Sequence, residues 1–300
     1  MTPEVRDVPA DAAPGTGAPP AGPDPGHIPE LVRTEAGRGW RALDLADLWR
    51  YRELLWFLAL RDIQVRYKQT ALGVAWAVLQ PLFSTVVFSL IFGYLAGMKS
   101  DGIPYPVFSL CGMIPWQLFA YALTQASGSV VAEQRLITKV YFPRLVIPLA
   151  SVLSGLADFA VAFVLLLIVM AGYGVTPPWQ VVLVPGLVVF AVLTALAVGL
   201  WLAALNVKYR DFRYTIPFLT QVWFFATPVV YPSSLIPPAV RPVYGLNPMA
   251  GVVEGFRWAM LGTAEPSWAL MGVSAVTVAV LLTGGLYYFR RVERTFSDLV

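Results

Sequence analysis

Cysteine and histidine are nearly absent from this 300-residue sequence, which contains one residue of each type. A single cysteine, Cys111, excludes a disulfide bond within the chain and argues against a cysteine-based zinc site. Because Cys111 lies within an apolar segment, we interpret it as a buried and unreactive side chain. The sequence therefore predicts no metal site.

Charged residues are also scarce. They make up 13% of the sequence, about half the share of an ordinary soluble domain, while 57% of the residues are hydrophobic. This composition excludes a typical soluble domain and predicts an all-α integral membrane protein. The 21 lysines and arginines lie beside apolar runs and form no basic groove, so the expected partners are membrane lipids and not nucleic acid.

A phosphate-binding loop is missing as well. No lysine follows a glycine, so the glycine-rich loop that ends in Gly-Lys does not occur. If ATP drives a process here, a separate chain has to bind it. We therefore expect no enzymatic activity and no bound cofactor in this chain.

Six segments are long and apolar enough to cross a bilayer, which takes about 20 helical residues. These predicted spans cover residues 72–95, 107–131, 145–170, 181–205, 214–231 and 268–289, and the fifth is the shortest. We assign residues 41–300 to one transmembrane domain. Residues 1–40 are predicted to form a disordered tail, because eight prolines and four glycines occur in the first 29 residues.

Positive charges flank the predicted spans mainly on one side. Twelve lysines and arginines border that side and three lie in the opposite loops. The twelve are Arg61, Arg66, Lys68, Arg135, Lys139, Arg144, Lys208, Arg210, Arg213, Arg290, Arg291 and Arg294; the three are Lys99, Arg241 and Arg257. Because positive residues favour the cytoplasmic surface and the number of spans is even, both termini are predicted to be cytoplasmic.

Three segments outside the spans have unusual patterns. Residues 47–69 carry an imperfect apolar stripe beside charged faces, which predicts an interfacial amphipathic helix, with a membrane hairpin at residues 54–60 as the alternative. The stripe consists of Leu48, Leu55, Leu58, Ile63 and Val65. Residues 133–144 predict a short helix that either binds a partner or packs on the chain itself. Residues 237–244 and 248–261 are too apolar for an ordinary exterior loop and predict two short re-entrant helices, with a flat interfacial loop as the alternative.

Several ordered motifs carry a resemblance to a known family. They are RDIQVRYKQTALGVAWAVLQP at 61–81, QRLITKVYFPR at 134–144, NVKYRDFRYTIPF at 206–218, NPM at 247–249 followed by Glu254 and Arg257, and FRRVERTFSDLV at the end. From about residue 45 to residue 300, the sequence resembles the permease subunit of the ABC type-2 polysaccharide exporters. That family exports lipid-linked O-antigen, teichoic acid, capsule or related glycans.

The resemblance implies functional positions. The cytoplasmic coupling helix would contact the ATPase through Gln134, Arg135, Leu136, Ile137, Lys139, Tyr141 and Phe142. The interfacial helix would contribute Arg61, Arg66, Tyr67 and Lys68. The external gate would contain Asn247, Pro248, Glu254 and Arg257.

The resemblance also implies partners and a location. Two copies of this permease would assemble with two copies of a separate ABC ATPase, which would bind ATP and magnesium, in the bacterial cytoplasmic (inner) membrane. The cargo would be a lipid-linked glycan, and spans 1 and 5 would line a path at the centre of the homodimer.

Aromatic residues are dense on spans 1, 2 and 5. Flat rings can hold sugar faces without a fixed hydrogen-bond pattern, although aromatic belts and lipid-facing rings are common in membrane helices. The candidate channel-lining residues are Trp76, Phe83, Phe88, Tyr121, Trp223 and Phe224.

Two further features concern charge. Asp158 lies near the middle of the third predicted span, where it is either part of a proton or cation pathway or a protonated or hydrogen-bonded packing residue. We favour packing, because the sequence offers no second charge within the spans for a relay. Glu254 and Arg257 are three residues apart on a predicted helix and are expected to pair.

Three other functions fit the composition. One is export of a drug or small lipid by a permease of the same class, and another is an ion-coupled carrier that titrates Asp158. The third is a membrane enzyme acting on lipid-linked sugars, against which the scarcity of charge in the predicted external loops argues.

Overall fold

The computed structural model describes residues 45–68, 73–140, 142–209, 211–237 and 240–293. The predicted tail, the start of the first predicted span, Tyr141 and Arg294 lie outside the described residues. Within those ranges every regular element is helical and no strand occurs, which confirms the all-α class.

Eleven α-helices follow one another along the described residues. They are α1 (Leu45–Arg50), α2 (Arg52–Lys68), α3 (Gly73–Phe88), α4 (Tyr105–Ala132), α5 (Gln134–Lys139), α6 (Val146–Gly172), α7 (Val184–Lys208), α8 (Phe212–Ala226), α9 (Arg241–Gly245), α10 (Pro248–Leu261) and α11 (Trp268–Glu293). A π-helix, Ser89–Leu95, extends α3; short 3-10 helices occupy Trp179–Leu183 and Ser233–Leu235.

Five helical segments of the described chain are long and apolar enough to cross a membrane. They are Ala75–Leu95, Tyr105–Ala132, Val146–Gly172, Trp179–Lys208 and Trp268–Glu293. Their bounds lie within four residues of five of the predicted spans, because a long apolar run is itself the property that makes a helix stable in lipid.

The predicted fifth span, residues 214–231, is not confirmed. α8 has 15 residues, which is about 23 Å of helix and shorter than the roughly 30 Å apolar core of a bilayer. The helix ends because Pro228 disfavours helical geometry at Thr227, which is extended at φ −107° and ψ 138°. The non-helical segment 227–230 that follows is buried.

α4 is the central helix of the bundle. Most of its residues are buried, and it packs mainly against α6 and α7. The contact with α7 depends on small side chains, since a Cβ at Gly199 would lie 2.9 Å from the Cβ of Ala126. Small residues at such a crossing let two membrane helices approach closely.

Charged residues from distant parts of the sequence meet at one end of the bundle, which we call the charged end. Arg61 on α2 pairs with Glu133, where α4 ends and α5 begins. Arg144, which precedes α6, donates to the backbone carbonyl of Glu293 at the end of α11. The positive flanks predicted from the sequence therefore gather on one side of the described structure.

Most of the segment predicted as an interfacial helix, residues 47–69, forms α2, and the continuity of α2 excludes the hairpin at residues 54–60. The predicted stripe is only partly right. Leu58 and Ala59 are buried against residues at the start of α6, whereas Val65 is exposed. Packing on α6, and not a single apolar face, determines how α2 lies.

The second predicted external helix forms with the predicted bounds as α10. Asn247 caps it by accepting a hydrogen bond from the backbone N–H of Met249 at 3.1 Å, and Pro248 occupies the first helical position. Gly262 ends the helix at φ 65°, a conformation that glycine adopts without strain. The segment predicted as the first external helix, residues 237–244, forms only the shorter α9, and residues 238–239 lie outside the described residues.

Candidate functional site

A cleft of about 900 Å³ opens at the charged end. Residues of α2, the second half of α4, α6, α7 and α8 line it. The α4 wall includes Thr124, Gln125, Ser127, Gly128 and Ser129, which belong to a small and polar run inside a predicted span. Because polar side chains are disfavoured against lipid, this face is suited to water or to a polar ligand.

Five charged residues line the cleft: Arg61, Asp62, Arg66, Glu133 and Arg213. Arg61 donates to Asp62 at 2.9 Å and also to Glu133. Burial lowers the pKa of Arg61, but hydrogen bonds to the two carboxylates outweigh it, so the pKa lies above its usual value and the guanidinium stays charged. This network ties α2 to the junction between α4 and α5.

Arg66 forms an ion pair with Asp158 of α6, and the hydroxyl of Tyr67 donates to the other carboxylate oxygen. The guanidinium carbon of Arg66 lies 4.1 Å from the centre of the Tyr121 ring. Burial and then the hydrogen bond to Asp158 raise the pKa of Tyr67 to about 12, so its hydroxyl remains a donor. Asp158 therefore has a cationic neighbour from α2, 92 positions away in sequence, which the sequence interpretation missed.

The contact between α4 and α6 fixes the ring on which Arg66 lies. The Tyr121 hydroxyl is 3.0 Å from the Ser154 hydroxyl. Gly155 leaves room for the ring, because a Cβ there would lie 2.6 Å from Tyr121 Cδ1. Tyr121, predicted as a channel-lining residue, thus belongs to the cleft wall.

The other predicted aromatic lining residues fall into two groups. Trp76 and Phe83 on α3 are 60% and 63% exposed, so they are available to lipid, a partner or cargo. Phe88, Trp223 and Phe224 are half-buried and pack within the chain, with the Phe88 and Phe224 ring centres 5.8 Å apart. These three rings serve at least partly as core.

The predicted coupling residues are similarly divided. Arg135 and Lys139 are exposed on α5. Ile137 and Phe142 are buried, Phe142 to 5% exposure, in a cluster with Leu58 of α2. For Ile137 and Phe142, the structure therefore favours the second alternative from the sequence, in which this segment packs on the chain itself. The remaining residues are Gln134 and Leu136, which are half-buried, and Tyr141, which lies outside the described residues. Lys68, predicted on the interfacial helix, is exposed at the end of α2.

Asn247 joins two helices at the end of the bundle opposite the charged end. Its amide nitrogen donates to the Thr227 hydroxyl at 3.0 Å, and its oxygen accepts from the Trp223 indole at 2.8 Å. The same oxygen caps α10. Pro248, the next predicted gate residue, is buried. Asn247 therefore holds the end of α8 against the start of α10.

Arg257 is only 3% exposed, although it is a cation. It donates to the backbone carbonyls of Pro228 at 2.6 Å, Tyr231 at 3.4 Å and Val229. Its guanidinium carbon lies 3.7 Å from the centre of the Phe108 ring. One side chain thus provides donors to the carbonyls of the buried non-helical segment that follows α8. Glu254, predicted to pair with it, is half-buried one turn earlier on α10.

Sequence reasoning missed several cleft residues, although signals for them exist. Only two asparagines occur in the sequence, and Asn206 lines the cleft and donates to the Ser127 carbonyl at 3.1 Å. The polar run 124–129 inside an apolar span is a second signal. No local pattern indicates that Arg66 meets Asp158, because that contact depends on how α2 packs on α6.

A bundle of membrane-length helices with a cleft that carries charged side chains at one end defines a multi-pass membrane protein of the permease type. The chain belongs to the ABC-2 type transporter family, which it matches over residues 53–261. The predicted resemblance is therefore confirmed at the level of the family.

This chain aligns with several named relatives over most of their length. The O-antigen export system permease protein RfbA of Myxococcus xanthus is 34% identical over 236 residues, which cover 77% of this chain and 90% of the relative. RfbA of Klebsiella pneumoniae is 29% identical, with 83% and 95% covered. The polysialic acid transport protein KpsM of Escherichia coli is 30% identical, with 80% and 94% covered.

Proposed function

We propose that this chain is the permease subunit of an ATP-driven exporter of lipid-linked polysaccharide in the bacterial inner membrane. The observation that carries the proposal is the cleft of about 900 Å³ at the charged end, which is lined by five charged side chains and residues of the polar run 124–129. A glycan is polar, so it needs a water-accessible site on the side where it is made. The names of the relatives, O-antigen export and polysialic acid transport, support this class of cargo.

A separate ABC ATPase, present in two copies, supplies the energy by binding ATP with magnesium. The absence of a Gly-Lys phosphate loop from the sequence supports this division of labour. The docking surface is the exposed side of α5, with Arg135, Thr138 and Lys139, together with Val140, which directly follows the helix. Exposed cations and an exposed apolar side chain suit an acidic and partly apolar cleft on the ATPase.

Movement of α5 reaches the cleft through two contacts. Glu133, directly before α5, binds Arg61 on α2, and Ile137 of α5 belongs to the same buried cluster as Leu58 of α2. Because α2 carries Arg61, Asp62 and Arg66 on the cleft wall, displacing α5 changes the width and charge of the cleft.

Two copies of the chain form the transport path between them. α3 with its π-helical extension, and α8, carry rows of exposed apolar and aromatic side chains, which face the second copy, membrane lipids or cargo in a homodimer. Trp76 and Phe83 are the ring surfaces best placed to contact sugars, because they are the most exposed of the predicted lining residues.

The charged end is cytoplasmic, and so are both termini, by the distribution of positive charge. α9 and α10 then form the external gate, re-entrant from the outer side, and α8 with the segment after it completes a sixth crossing. Asn247 and Arg257 hold this gate to the end of α8.

The test is to obstruct the cleft without disturbing the fold. A Cβ at Gly128 meets no atom within 4 Å, and Gly128 lines the cleft, so Gly128→Leu places an apolar side chain there without a backbone clash. Gly272→Leu on α11 is the matched control, because its Cβ also meets nothing within 4 Å and it does not line the cleft.

In a deletion strain, the wild type and Gly272→Leu should restore polysaccharide at the cell surface. Gly128→Leu should accumulate it inside at normal protein level. If the deletion strain kept normal polysaccharide at its surface but became sensitive to a drug, the result would favour an exporter of a drug or small lipid. If the deletion strain contained chemically altered lipid-linked sugars and no polysaccharide accumulated inside the cell, the result would favour a membrane enzyme that acts on lipid-linked sugars.

A further inference from the structure

Arg66 lies at the boundary between the cleft and the helix bundle. Its side chain lines the cleft, as does the Tyr121 ring beneath it. Asp158, which pairs with Arg66, does not line the cleft. The guanidinium is therefore held between a carboxylate on the bundle side and the open volume of the cleft.

The ion pair is one that a ligand can exchange. The Arg66 and Asp158 side chains are each 31% exposed, so the pair is not sealed inside the helix bundle and a ligand can reach it. The Tyr67 hydroxyl also donates to Asp158, so the carboxylate keeps a hydrogen-bond donor when Arg66 turns away. Asp158 accepts from Arg66 with one carboxylate oxygen and from Tyr67 with the other. An oxyanion that offers two oxygens to the same guanidinium matches the planar arginine group better.

The other two arginines that line the cleft, Arg61 and Arg213, differ in their ion-pair partners. Arg61 is bound to Asp62 and Glu133, two carboxylates that also line the cleft. Arg213 is exposed at the start of α8, and it makes no ion pair with any residue in the described ranges. An anion in the cleft can therefore bind Arg213 without displacing an ion-pair partner, whereas Arg66 has to leave Asp158.

We propose that Arg66 and Arg213 bind an oxyanion of the cargo, and that Asp158 competes with this oxyanion for Arg66. In the empty cleft Asp158 holds Arg66, and in the loaded cleft the cargo holds it. The oxyanion is a phosphate of the lipid carrier or a carboxylate of the sugars. The source of the anion rests on the proposed function, whereas the binding and its competition with Asp158 do not.

Binding to the purified full-length protein tests the proposal. The protein is placed in phosphatidylcholine nanodiscs, and inorganic pyrophosphate and galacturonate are titrated separately. Because Asp158→Asn keeps the size and an acceptor for Tyr67 but removes the competing charge, it should tighten binding by about two- to fivefold. Arg66→Gln should weaken binding by about tenfold, and combining it with Asp158→Asn should give no recovery.

Glu53→Gln is the matched control, because Glu53 is an exposed acid on α2, the helix that carries Arg66, and it does not line the cleft. It should leave both affinities unchanged. If Asp158→Asn does not fold, Asp158→Gln serves the same comparison. Unchanged or weaker binding in the folded neutral variant would overturn the proposal, as would full affinity in Arg66→Gln.

The two ligands distinguish the source of the anion. Competition by Asp158 with pyrophosphate alone identifies a phosphate, and competition with galacturonate alone identifies an acidic sugar. If export of polysaccharide were disproved while Asp158-dependent binding persisted, only the source of the anion would change. Polysaccharide export with no affinity for either ligand would overturn the anion site and leave the proposed function standing.

Discussion

The indole N–H of Trp223 donates to the side-chain oxygen of Asn247 over 2.8 Å. Trp223 lies in the last turn of α8, and Asn247 is the residue that caps α10. The bond therefore joins the helix proposed to line the path to the helix proposed as the external gate. A rotation of α8 cannot leave the start of α10 in place unless this bond breaks.

Replacing Asn247 should uncouple these helices. Asn247→Ala removes the cap of α10 and the acceptor of Trp223, and each loss costs about 1 kcal/mol or more. Asn247→Asp retains the acceptor and the cap but loses the donor to Thr227, so its effect should be smaller. Thermal unfolding in detergent and surface polysaccharide measure the two effects. Equal behaviour of the two variants would contradict this account of the bond.

A single methyl group at position 112 should displace Arg257. A Cβ on Gly112 would lie 2.6 Å from the Val229 carbonyl oxygen and collide with the Arg257 guanidinium. Buried carbonyls that lose their donor cost about 1–3 kcal/mol each. Gly112→Ala should therefore lower the unfolding temperature and speed hydrogen exchange at residues 229–231. Gly272→Ala, with open space around it, should do neither. Equal exchange in both variants would show that Arg257 does not hold this segment.

Charge reversal on α5 should weaken binding of the ATPase. Lys139 is exposed on the proposed docking surface, and Lys99 is an exposed lysine in the loop between α3 and α4. Lys139→Glu should reduce the amount of ATPase that copurifies, and Lys99→Glu should not. The same loss in both variants, or in neither, would reject the docking surface.

Phe142 should act differently from Lys139, because it is buried with Leu58. Phe142→Ala should destabilise the protein by about 3–5 kcal/mol, the usual cost of removing a buried phenyl ring. Unfolding by denaturant measures this loss. A stable Phe142→Ala variant that fails to bind the ATPase would show instead that the ring contacts the partner directly.

Cysteine labelling should decide whether α8 completes a sixth crossing. Cys111 is buried and should give little background with an impermeant maleimide. In intact cells, Lys99→Cys and Leu235→Cys should react, whereas Lys139→Cys and Arg213→Cys should react only after permeabilisation. Leu235→Cys and Arg213→Cys lie on either side of α8, so labelling both from the same side would show that this segment does not cross.

The amino-acid sequence by itself determined the class, five of the membrane-length helices, the side that carries positive charge and the family. These properties depend on local quantities, namely the length of an apolar run and the charges beside it. The bounds of α10 were equally local, because Asn247, Pro248 and Gly262 form its start and its end.

Only the tertiary structure decided which of these residues meet. Arg66 and Asp158 are 92 positions apart, and Arg257 reaches carbonyls 26 to 29 positions away. Phe142 is buried in the cluster that also contains Leu58 and Ala59 of α2. Such contacts depend on the faces that helices present to one another after packing, and membrane spans that are apolar on every side carry little periodic signal for that choice.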